Sequence, residues 1–356
     1  MIKYIGSKRR LVPVLGRLLE RSRARSALDL FTGTTRVAQE FKRRGAEVWA
    51  VDMARYSEAF ARCYVETDAR YVDRDALSTA VAELDALPGR NGYVTETFCR
   101  RARYFQPKNG RRIDAIRDAI AERYAGSWLE PILLTSLIEA ADRVDSTTGV
   151  QMAYLKSWAP RSHNDLELRV PTLLPGRGHT VRADAAHAVR RLAAVDLAYL
   201  DPPYNQHRYF TNYHVWETLV AWDAPPVYGV ARKRVDAREP STKSRFNVRA
   251  EIGPALRDAI SRVRARLVVV SFSDEGWVSL SDLVSMGSSR GHVRVLGFGS
   301  RRYVGAQIGI HDPQGVPVGR ISHLHNTEYL MLAGPQDEVD ELADDIVRAE
   351  PRAVPA

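Results

Sequence analysis

One four-residue stretch near the middle of the chain stands out for the chemistry it could support. It reads Asp201-Pro202-Pro203-Tyr204 and directly follows residues 195–200, an apolar run that predicts a buried strand. Two consecutive prolines fix the backbone and remove two N–H donors, so the neighbouring carbonyls are free to accept hydrogen bonds from a substrate. Asp201 offers a second acceptor, and Tyr204 offers a flat face on which a base can stack.

These groups suit a substrate with an exocyclic amino group, such as adenine or cytosine. That nitrogen is conjugated with its ring and is a poor nucleophile. Two acceptors that hold its hydrogens draw it toward sp³ geometry, and a carboxylate stabilises the positive charge that develops as a methyl group arrives. No cysteine nucleophile is needed, and neither Cys63 nor Cys99 lies near the motif in sequence. The alternative interpretation is a rigid turn between a strand and a loop.

The segments around this motif predict a doubly wound, Rossmann-like α/β sheet. The first third contains a basic amphipathic helix pattern at 8–25, a strand at 27–31, a Gly/Thr turn at 32–35, a helix at 36–44 and a strand at 47–51. A unit of this kind opens a parallel sheet. After residue 179 the alternation resumes, with strand patterns at 180–182, 195–200, 266–271, 292–298 and 328–332.

The middle of the chain lacks clear strand patterns and contains helical ones, at 113–124 and 128–144. We therefore expect a catalytic domain formed by residues 1–64 and 179–335, with an inserted, mostly helical domain at 65–178. Residues 336–356 are expected to form a C-terminal helix followed by a loose tail.

Polar residues follow several of the predicted strands. In an open parallel sheet, ligands bind beyond the carboxyl ends of the strands. Gly33 follows the first strand, and Asp52, Asp184 and Asp201 follow later ones. A glycine turn lets the backbone approach a ligand closely, and an acidic residue after the second strand can bind both hydroxyls of a ribose. The turn lacks the three glycines of the dinucleotide fingerprint, which disfavours a nicotinamide enzyme.

Together these motifs resemble the Dam-like alpha group of amino-directed DNA methyltransferases. Residues 3–8 look like that family's N-terminal cofactor motif, residues 29–33 look like its first strand and turn, and residues 201–204 match its catalytic motif. Residues 205–214 resemble the Asn-Tyr-His segment of methylases that are paired with certain restriction enzymes. The order of the motifs also agrees, with a target-recognition insert before the catalytic motif.

The resemblance implies S-adenosyl-L-methionine as cofactor and catalysis by Asp201, Pro202, Pro203 and Tyr204. The implied cofactor-binding residues are Tyr4, Gly6, Lys8, Asp29, Phe31, Gly33, Thr35, Asp52 and Asp184. In one departure from the family pattern, Thr34-Thr35 replaces the second glycine of the turn, and we expect the threonine hydroxyls to bond the methionine carboxylate instead.

The same resemblance implies double-stranded DNA as the partner, with the target base flipped out of the helix. Tyr204, Tyr209 and Phe210 are candidates to hold the flipped base, and plain core packing is the alternative for each. A cognate restriction endonuclease would act in the same system. Since cysteines are few and no apolar run reaches eighteen residues, we expect a cytoplasmic protein without a membrane span.

The net charge of +9 fits a polyanionic partner, although an arginine-rich proteome would produce the same balance. For any single arginine, a solvated surface is the alternative interpretation. The predicted DNA-binding residues are Arg101, Lys108, Lys156, Tyr209, Lys233, Arg234, Lys243 and Arg245.

Several other functions remain open at the level of sequence. N4-cytosine methylation uses the same amine chemistry and is the closest rival to N6-adenine methylation. A non-catalytic DNA-binding module on the same fold is a second alternative, which the intact motif at 201–204 disfavours. A nuclease would need a carboxylate cluster with a lysine, a spacing that the sequence does not contain. No metal site is predicted, because the pair His323 and His325 has no accompanying cysteine or carboxylate set.

Overall fold

The computed structural model describes residues 2–5, 8–206, 208–301, 325–350 and 353–355 of the 356-residue chain. Its strands are β1 (Ser26–Asp29), β2 (Glu47–Asp52), β3 (Gly178–Arg182), β4 (Val195–Leu200), β5 (Val227–Tyr228), β6 (Lys233–Arg234), β7 (Ala265–Ser273), β8 (His292–Arg301), β9 (His325–Gly334) and β10 (Ala353–Pro355). Its α-helices are α1 (Val12–Arg21), α2 (Arg36–Arg43), α3 (Arg55–Ala61), α4 (Arg74–Asp85), α5 (Pro107–Arg123), α6 (Glu130–Arg143), α7 (Ala185–Arg191), α8 (Tyr209–Asn212), α9 (His214–Ala221), α10 (Ile252–Arg262), α11 (Leu280–Gly287) and α12 (Gln336–Ala349). Segments of π-helix occur at Arg62–Glu66 and Thr95–Arg100.

The described strands form one eight-stranded sheet in the order β10-β8-β9-β7-β4-β1-β2-β3, and β5 and β6 form a separate hairpin. The five neighbouring strands β3, β2, β1, β4 and β7 are parallel to one another. Beyond β7, the strands β9, β8 and β10 each pair antiparallel with the preceding strand of the sheet. The predicted parallel α/β sheet is therefore confirmed, with an antiparallel extension at one edge.

The strand order of the sheet reverses between β1 and β4, which makes this position a topological switch point. From β1 the chain adds β2 and β3 on one side, and it later returns to add β4 and β7 on the other. Asp29 at the end of β1 pairs in register with Tyr199 near the end of β4. Since ligands bind at such a switch point, the residues after β1 and β4 are those best placed to meet one.

Both faces of the sheet are covered by helices. Along β4, Leu197 and Tyr199 face a core formed with α1, α2 and α12, whereas Ala198 and Leu200 face a core formed with α7, α10 and α11. Burial on both faces explains why the strand patterns are continuous apolar runs.

Residues 67–177, all of which are described, contain helices and no strand. Their core is continuous with α3 and α9, because Tyr56, Phe60, Tyr213 and Trp216 pack into the same apolar cluster as α4, α5 and α6. The helical insert therefore rests directly on the segment that follows residues 201–204. No helix in the described part of the chain is long and apolar enough to cross a membrane.

Two predicted elements differ from the structure. The first helix spans only Val12–Arg21 instead of 8–25, since Pro13 favours a helix start and Arg23 adopts a left-handed conformation with φ 53°. At the C-terminus, α12 is not followed only by a loose tail. Residues 353–355 pair with β8 as an edge strand, and Ala353 is buried.

One buried lysine secures the start of the insert. Lys42 on α2 is 1% exposed, and its Nζ donates to the carbonyl oxygens of Val65 and Thr67, both at 2.7 Å. These carbonyls lie at the end of the first π-helix, where the backbone needs hydrogen-bond partners. Gly178 at the start of β3 lies against the same turn, because a Cβ there would sit 2.3 Å from the Val65 oxygen.

We predict that Lys42→Met lowers the free energy of unfolding by roughly 2 kcal/mol, because buried carbonyls lose their donor. Urea unfolding measures the effect. Arg43→Met is the matched control, since Arg43 is next in sequence and its side chain is 53% exposed. Equal stability of the Lys42 variant and the control would show that the lysine does not secure this turn.

Candidate active site

A cavity of about 380 Å³ opens at the carboxyl edge of the sheet. Its wall includes Asp52, the last residue of β2, together with Phe31, Asp184 and Asp201, which follow β1, β3 and β4 respectively. Three of the aspartates predicted at strand ends therefore lie on the wall of one cavity. The volume lies within the range of small-molecule sites, which is roughly 300–1,000 Å³.

The carboxylate of Asp201 is held through one of its oxygens. Asp201 Oδ1 lies 2.9 Å from Lys8 Nζ and accepts a hydrogen bond from Ser271 Oγ at 2.8 Å. Lys8 is 7% exposed, and its Nζ also lies 2.7 Å from Glu328 Oε1. A buried ammonium group therefore lies between two carboxylates, one at the end of β4 and one on β9.

The protonation states follow from this arrangement. Burial raises the pKa of the Asp201 carboxyl, and the charge of Glu328 raises it further, whereas Lys8 and Ser271 act in the opposite direction. Burial alone would lower the pKa of Lys8, but Asp201 and Glu328 raise it well above its usual range. Lys8 is consequently protonated, and its charge is what favours the ionised form of Asp201.

The other residues of the motif are placed differently. Pro203 lines the cavity, whereas Pro202 and Tyr204 are not among the described residues of its wall. The Tyr204 ring packs at 60° against Phe272 with centroids 5.8 Å apart, and its carbonyl accepts a hydrogen bond from Trp277 N at 3.2 Å. Tyr204 is thus partly a packing residue in this conformation.

Asp52 organises the turn after β1. Its Oδ2 accepts a hydrogen bond from Gly33 N at 2.9 Å, and its Oδ1 accepts one from Ala54 N at 3.0 Å. Gly33 has φ 50°, and a Cβ there would lie 3.0 Å from the Tyr4 hydroxyl oxygen. The glycine is required both by the backbone conformation and by the close approach of Tyr4.

Aromatic rings form one side of the cavity. The Tyr4 ring stacks on Tyr209 and Tyr213, with centroid distances of 5.3 and 4.7 Å, and Tyr213 stacks on Trp216 at 4.6 Å. Tyr4 and Tyr209 line the cavity, together with Phe210. A planar ligand entering here would meet aromatic surface on this side.

Four of the residues predicted to bind cofactor do not reach the cavity wall in the described structure: Lys8, Asp29, Gly33 and Thr35. Thr35 is fully buried, and its hydroxyl donates to the Thr34 carbonyl at 2.7 Å, which contradicts the expectation that it bonds a ligand carboxylate. Asp29 lies beneath the turn and accepts from Thr32 Oγ1 at 2.9 Å. Lys8 meets Asp201 directly, as described above. The prediction for Gly6 lies outside the described residues.

Asp29 carries an unusual buried oxygen. The residue is 1% exposed, and its Oδ1 has no hydrogen-bond partner among the described residues. Burial raises the pKa of this carboxyl to about 7. A buried acceptor without a donor is costly, which is consistent with the raised pKa of this carboxyl.

Sequence reasoning missed three residues of the site. Ser271 and Glu328 contact the Asp201–Lys8 pair from β7 and β9, and Glu217 lines the cavity from α9. Glu217 Oε2 accepts from Arg55 N at 3.0 Å and so caps α3, and burial raises its pKa to about 7. In the sequence, the only indication that Ser271 belongs to the site is that a polar residue ends the predicted apolar strand at 266–271. Nothing in the sequence indicated Glu328.

The residues predicted to bind DNA occupy varied environments. Arg101 and Lys108 are exposed, and each forms an ion pair, with Glu96 at 2.8 Å and Asp165 at 2.5 Å. Arg245 is exposed and pairs with Glu251 at 3.0 Å. The side chains of Lys233 and Lys243 are half-buried, and that of Lys156 is exposed.

Arg234 departs from the prediction. It is 4% exposed, and its guanidinium forms two hydrogen bonds with Asp223, at 2.8 and 2.7 Å, and a third with Asp236 Oδ2 at 2.7 Å. A buried guanidinium that is bidentate to a carboxylate has little remaining capacity to bind phosphate. We therefore interpret Arg234 as the structural anchor of its loop.

Comparison with known proteins agrees with this geometry. Residues 4–286 match the family model of the D12 class N6 adenine-specific DNA methyltransferase. The Modification methylase StsI of Streptococcus sanguinis is 30% identical over 308 residues, covering 80% of this chain and 46% of that protein. The Type II methyltransferase M.NlaIII of Neisseria lactamica is 30% identical over 298 residues, covering 79% of this chain and 86% of that protein.

The Type II methyltransferase M.FokI of Planomicrobium okeanokoites is 29% identical over 313 residues, covering 82% of this chain and 47% of that protein. The chain thus spans about half the length of StsI and M.FokI, and most of M.NlaIII. Since the family model covers most of the chain, including the cavity and residues 201–204, the chain belongs to the D12 class of N6 adenine-specific DNA methyltransferases.

Proposed function

We propose that this chain transfers a methyl group from S-adenosyl-L-methionine to N6 of an adenine flipped out of duplex DNA, as the modification enzyme of a restriction-modification system. The observation that carries the proposal is the Asp201 carboxyl group at the sheet's switch point, paired with the buried Lys8. It faces the cavity, and Lys8 and Ser271 hold it through a single oxygen.

The target amine would be held by two acceptors. Because Lys8 and Ser271 both contact Oδ1, the second oxygen of Asp201 is left to accept one amine hydrogen. A carbonyl of the neighbouring prolines accepts the other. As the nitrogen bonds the methyl group, the bond between that methyl group and the cofactor sulfur would break and leave a neutral thioether. The nitrogen would become cationic, and the carboxylate would stabilise that charge until the surplus proton passes to solvent.

The cofactor pocket would be the half of the cavity beside β1, β2 and β3. When bound, S-adenosyl-L-methionine supplies an electrophilic methyl group on a positively charged sulfur. Leu30, Phe31 and Met53 provide apolar wall, and Asp52 and Asp184 provide carboxylates suited to hydroxyl groups and positive charge.

The flipped base would lie against the aromatic side of the cavity. Tyr209 and Phe210 line the wall on the segment that follows the catalytic motif. Stacking on such rings compensates for the stacking that the base loses when it leaves the helix. Tyr204 would complete the pocket if its ring turned away from Phe272.

The choice of substrate and setting rests on the relatives. The family is described as adenine-specific, which favours N6 of adenine over N4 of cytosine. M.NlaIII and M.FokI are named Type II methyltransferases, which supports a cognate restriction endonuclease as partner. An enzyme acting on cellular DNA in this way would work in the cytoplasm.

The direct test uses labelled S-adenosyl-L-methionine, mixed-sequence duplex DNA and digestion of the product to nucleosides. We expect label in N6-methyladenine, and Asp201→Ala is expected to lower the rate by at least about a hundredfold, because the group that stabilises the developing charge is lost. Asp258→Ala on α10, away from the cavity, is the control. Label in N4-methylcytosine would overturn the choice of base, and an unimpaired Asp201 variant would overturn the mechanism.

A second prediction concerns the cofactor. Asp52→Asn is expected to weaken S-adenosyl-L-methionine binding about tenfold, because charge-assisted hydrogen bonds become neutral ones. Calorimetric titration without DNA measures this affinity apart from catalysis. Asp68→Asn, a substitution of an aspartate outside the cavity wall, should bind as the wild type does. Equal affinities for both variants would place the cofactor elsewhere.

A further inference from the structure

The hairpin formed by β5 and β6 carries an exposed apolar residue at its tip. Its loop, residues 229–232, closes with a hydrogen bond from Arg232 N to the Gly229 carbonyl at 3.2 Å. Gly229 and Arg232 adopt left-handed conformations, with φ 67° and 49°. Between them Val230 is 77% exposed, so an apolar side chain projects from a tightly turned loop.

The base of this hairpin is firmly anchored. The buried Arg234 on β6 forms two hydrogen bonds with Asp223, which lies before β5. This ion pair therefore joins the two ends of the hairpin. Pro225 O accepts a hydrogen bond from Tyr93 on the helical insert at 2.6 Å. A hairpin fixed at its base can hold its tip in place against a partner.

A second exposed apolar residue lies on the loop that meets this hairpin. The hydroxyl oxygen of the buried Tyr104 lies 2.7 Å from the Gln151 carbonyl and 2.8 Å from the Ala231 carbonyl. Met152, which follows Gln151, is 43% exposed. Val230 precedes Ala231 and Met152 follows Gln151, so each apolar residue is next in sequence to a residue whose carbonyl contacts the Tyr104 hydroxyl. We call Val230 and Met152 together the apolar tip.

The apolar tip is tied to the wall of the active-site cavity. Gln151 N donates to the Asn212 carbonyl at 2.7 Å, and Gln151 Oε1 accepts from Val215 N at 3.0 Å. Asn212 ends α8, the helix that carries Tyr209 and Phe210. The position of the tip is thus fixed relative to the residues proposed to hold the flipped base.

Basic groups surround the apolar tip. Arg232 Nε donates to the Arg101 carbonyl at 3.2 Å, and Lys233 Nζ lies 3.8 Å from Met152 Sδ. Arg103, two residues after Arg101, donates to the Lys156 carbonyl. An apolar centre with positively charged neighbours complements a base stack flanked by phosphates.

We propose that the apolar tip is a wedge that enters the base stack of duplex DNA beside the target adenine and occupies the space that the flipped base vacates. The proposal rests on the proposed function, since it concerns the same DNA substrate. Apolar side chains inserted between base steps unstack them, and base flipping costs a few kcal/mol that such a wedge offsets. Val230 and Met152 would then matter only when the target base is paired and stacked.

The test compares two duplexes that contain the site modified by the wild type, as identified by sequencing. One is fully paired, and the other has an abasic position opposite the target adenine. We expect the double variant Val230→Ala/Met152→Ala to methylate the paired duplex about tenfold more slowly than the wild type. On the abasic duplex its rate should be within about threefold of the wild-type rate, because the cost of breaking the base pair is already removed. Val170→Ala, which truncates a valine that is 45% exposed on the helical insert, is the control and should match the wild type on both.

Three results would have distinct meanings. Wild-type rates for the double variant on paired DNA would overturn the wedge, and so would an equal loss on both duplexes, since that pattern reflects general damage to binding or folding. Absence of methylation by the wild type on any DNA would instead count against the proposed function itself.

Discussion

The buried ion pair between Lys8 and Asp201 is the interaction on which the site depends. A carboxylate at the end of a buried strand favours its neutral form, because water cannot solvate the charge. Here the Lys8 ammonium lies 2.9 Å away and opposes that tendency, while Ser271 supports the same oxygen from β7. An ionised carboxylate is what the proposed methylation needs, so the charge of Lys8 is part of the chemistry as well as of the fold.

The N-terminal segment that carries Lys8 also joins the parts of the molecule to one another. Lys3 Nζ lies 2.9 Å from Asp145 Oδ1, which attaches the segment to the loop that follows α6 in the helical insert. Tyr4 stacks on Tyr209 and packs on Gly33, and Ile5 N donates to the Tyr213 hydroxyl at 2.7 Å. The helical insert, the turn after β1 and the segment after residues 201–204 therefore all contact one short stretch of chain.

The sequence predicts the sheet well because its signals are local. Apolar runs mark β4 and β7, and the residues at strand ends must meet at one edge once the strands are parallel, which places Asp52, Asp184 and Asp201 together. What could not be predicted depends on contacts between distant segments. Glu328 contacts Lys8 although the two residues are 320 positions apart in the chain, and Arg234 is buried because Asp223 and Asp236 fold around it. Thr35 turned inward because its left-handed backbone and its bond to the Thr34 carbonyl leave its hydroxyl no path to the cavity.

The pH dependence of methylation in Lys8 variants tests most directly whether this ion pair keeps Asp201 ionised. Loss of the Lys8 charge leaves burial and Glu328 to raise the pKa of Asp201, so activity should disappear at a higher pH than in the wild type. In Lys8→Met the acidic limb of kcat/KM is expected to move upward by about one pH unit or more, and in Lys8→Arg, which keeps the charge, it should stay near the wild-type position. A Lys8→Met enzyme that is slower but has an unmoved acidic limb would contradict the claim.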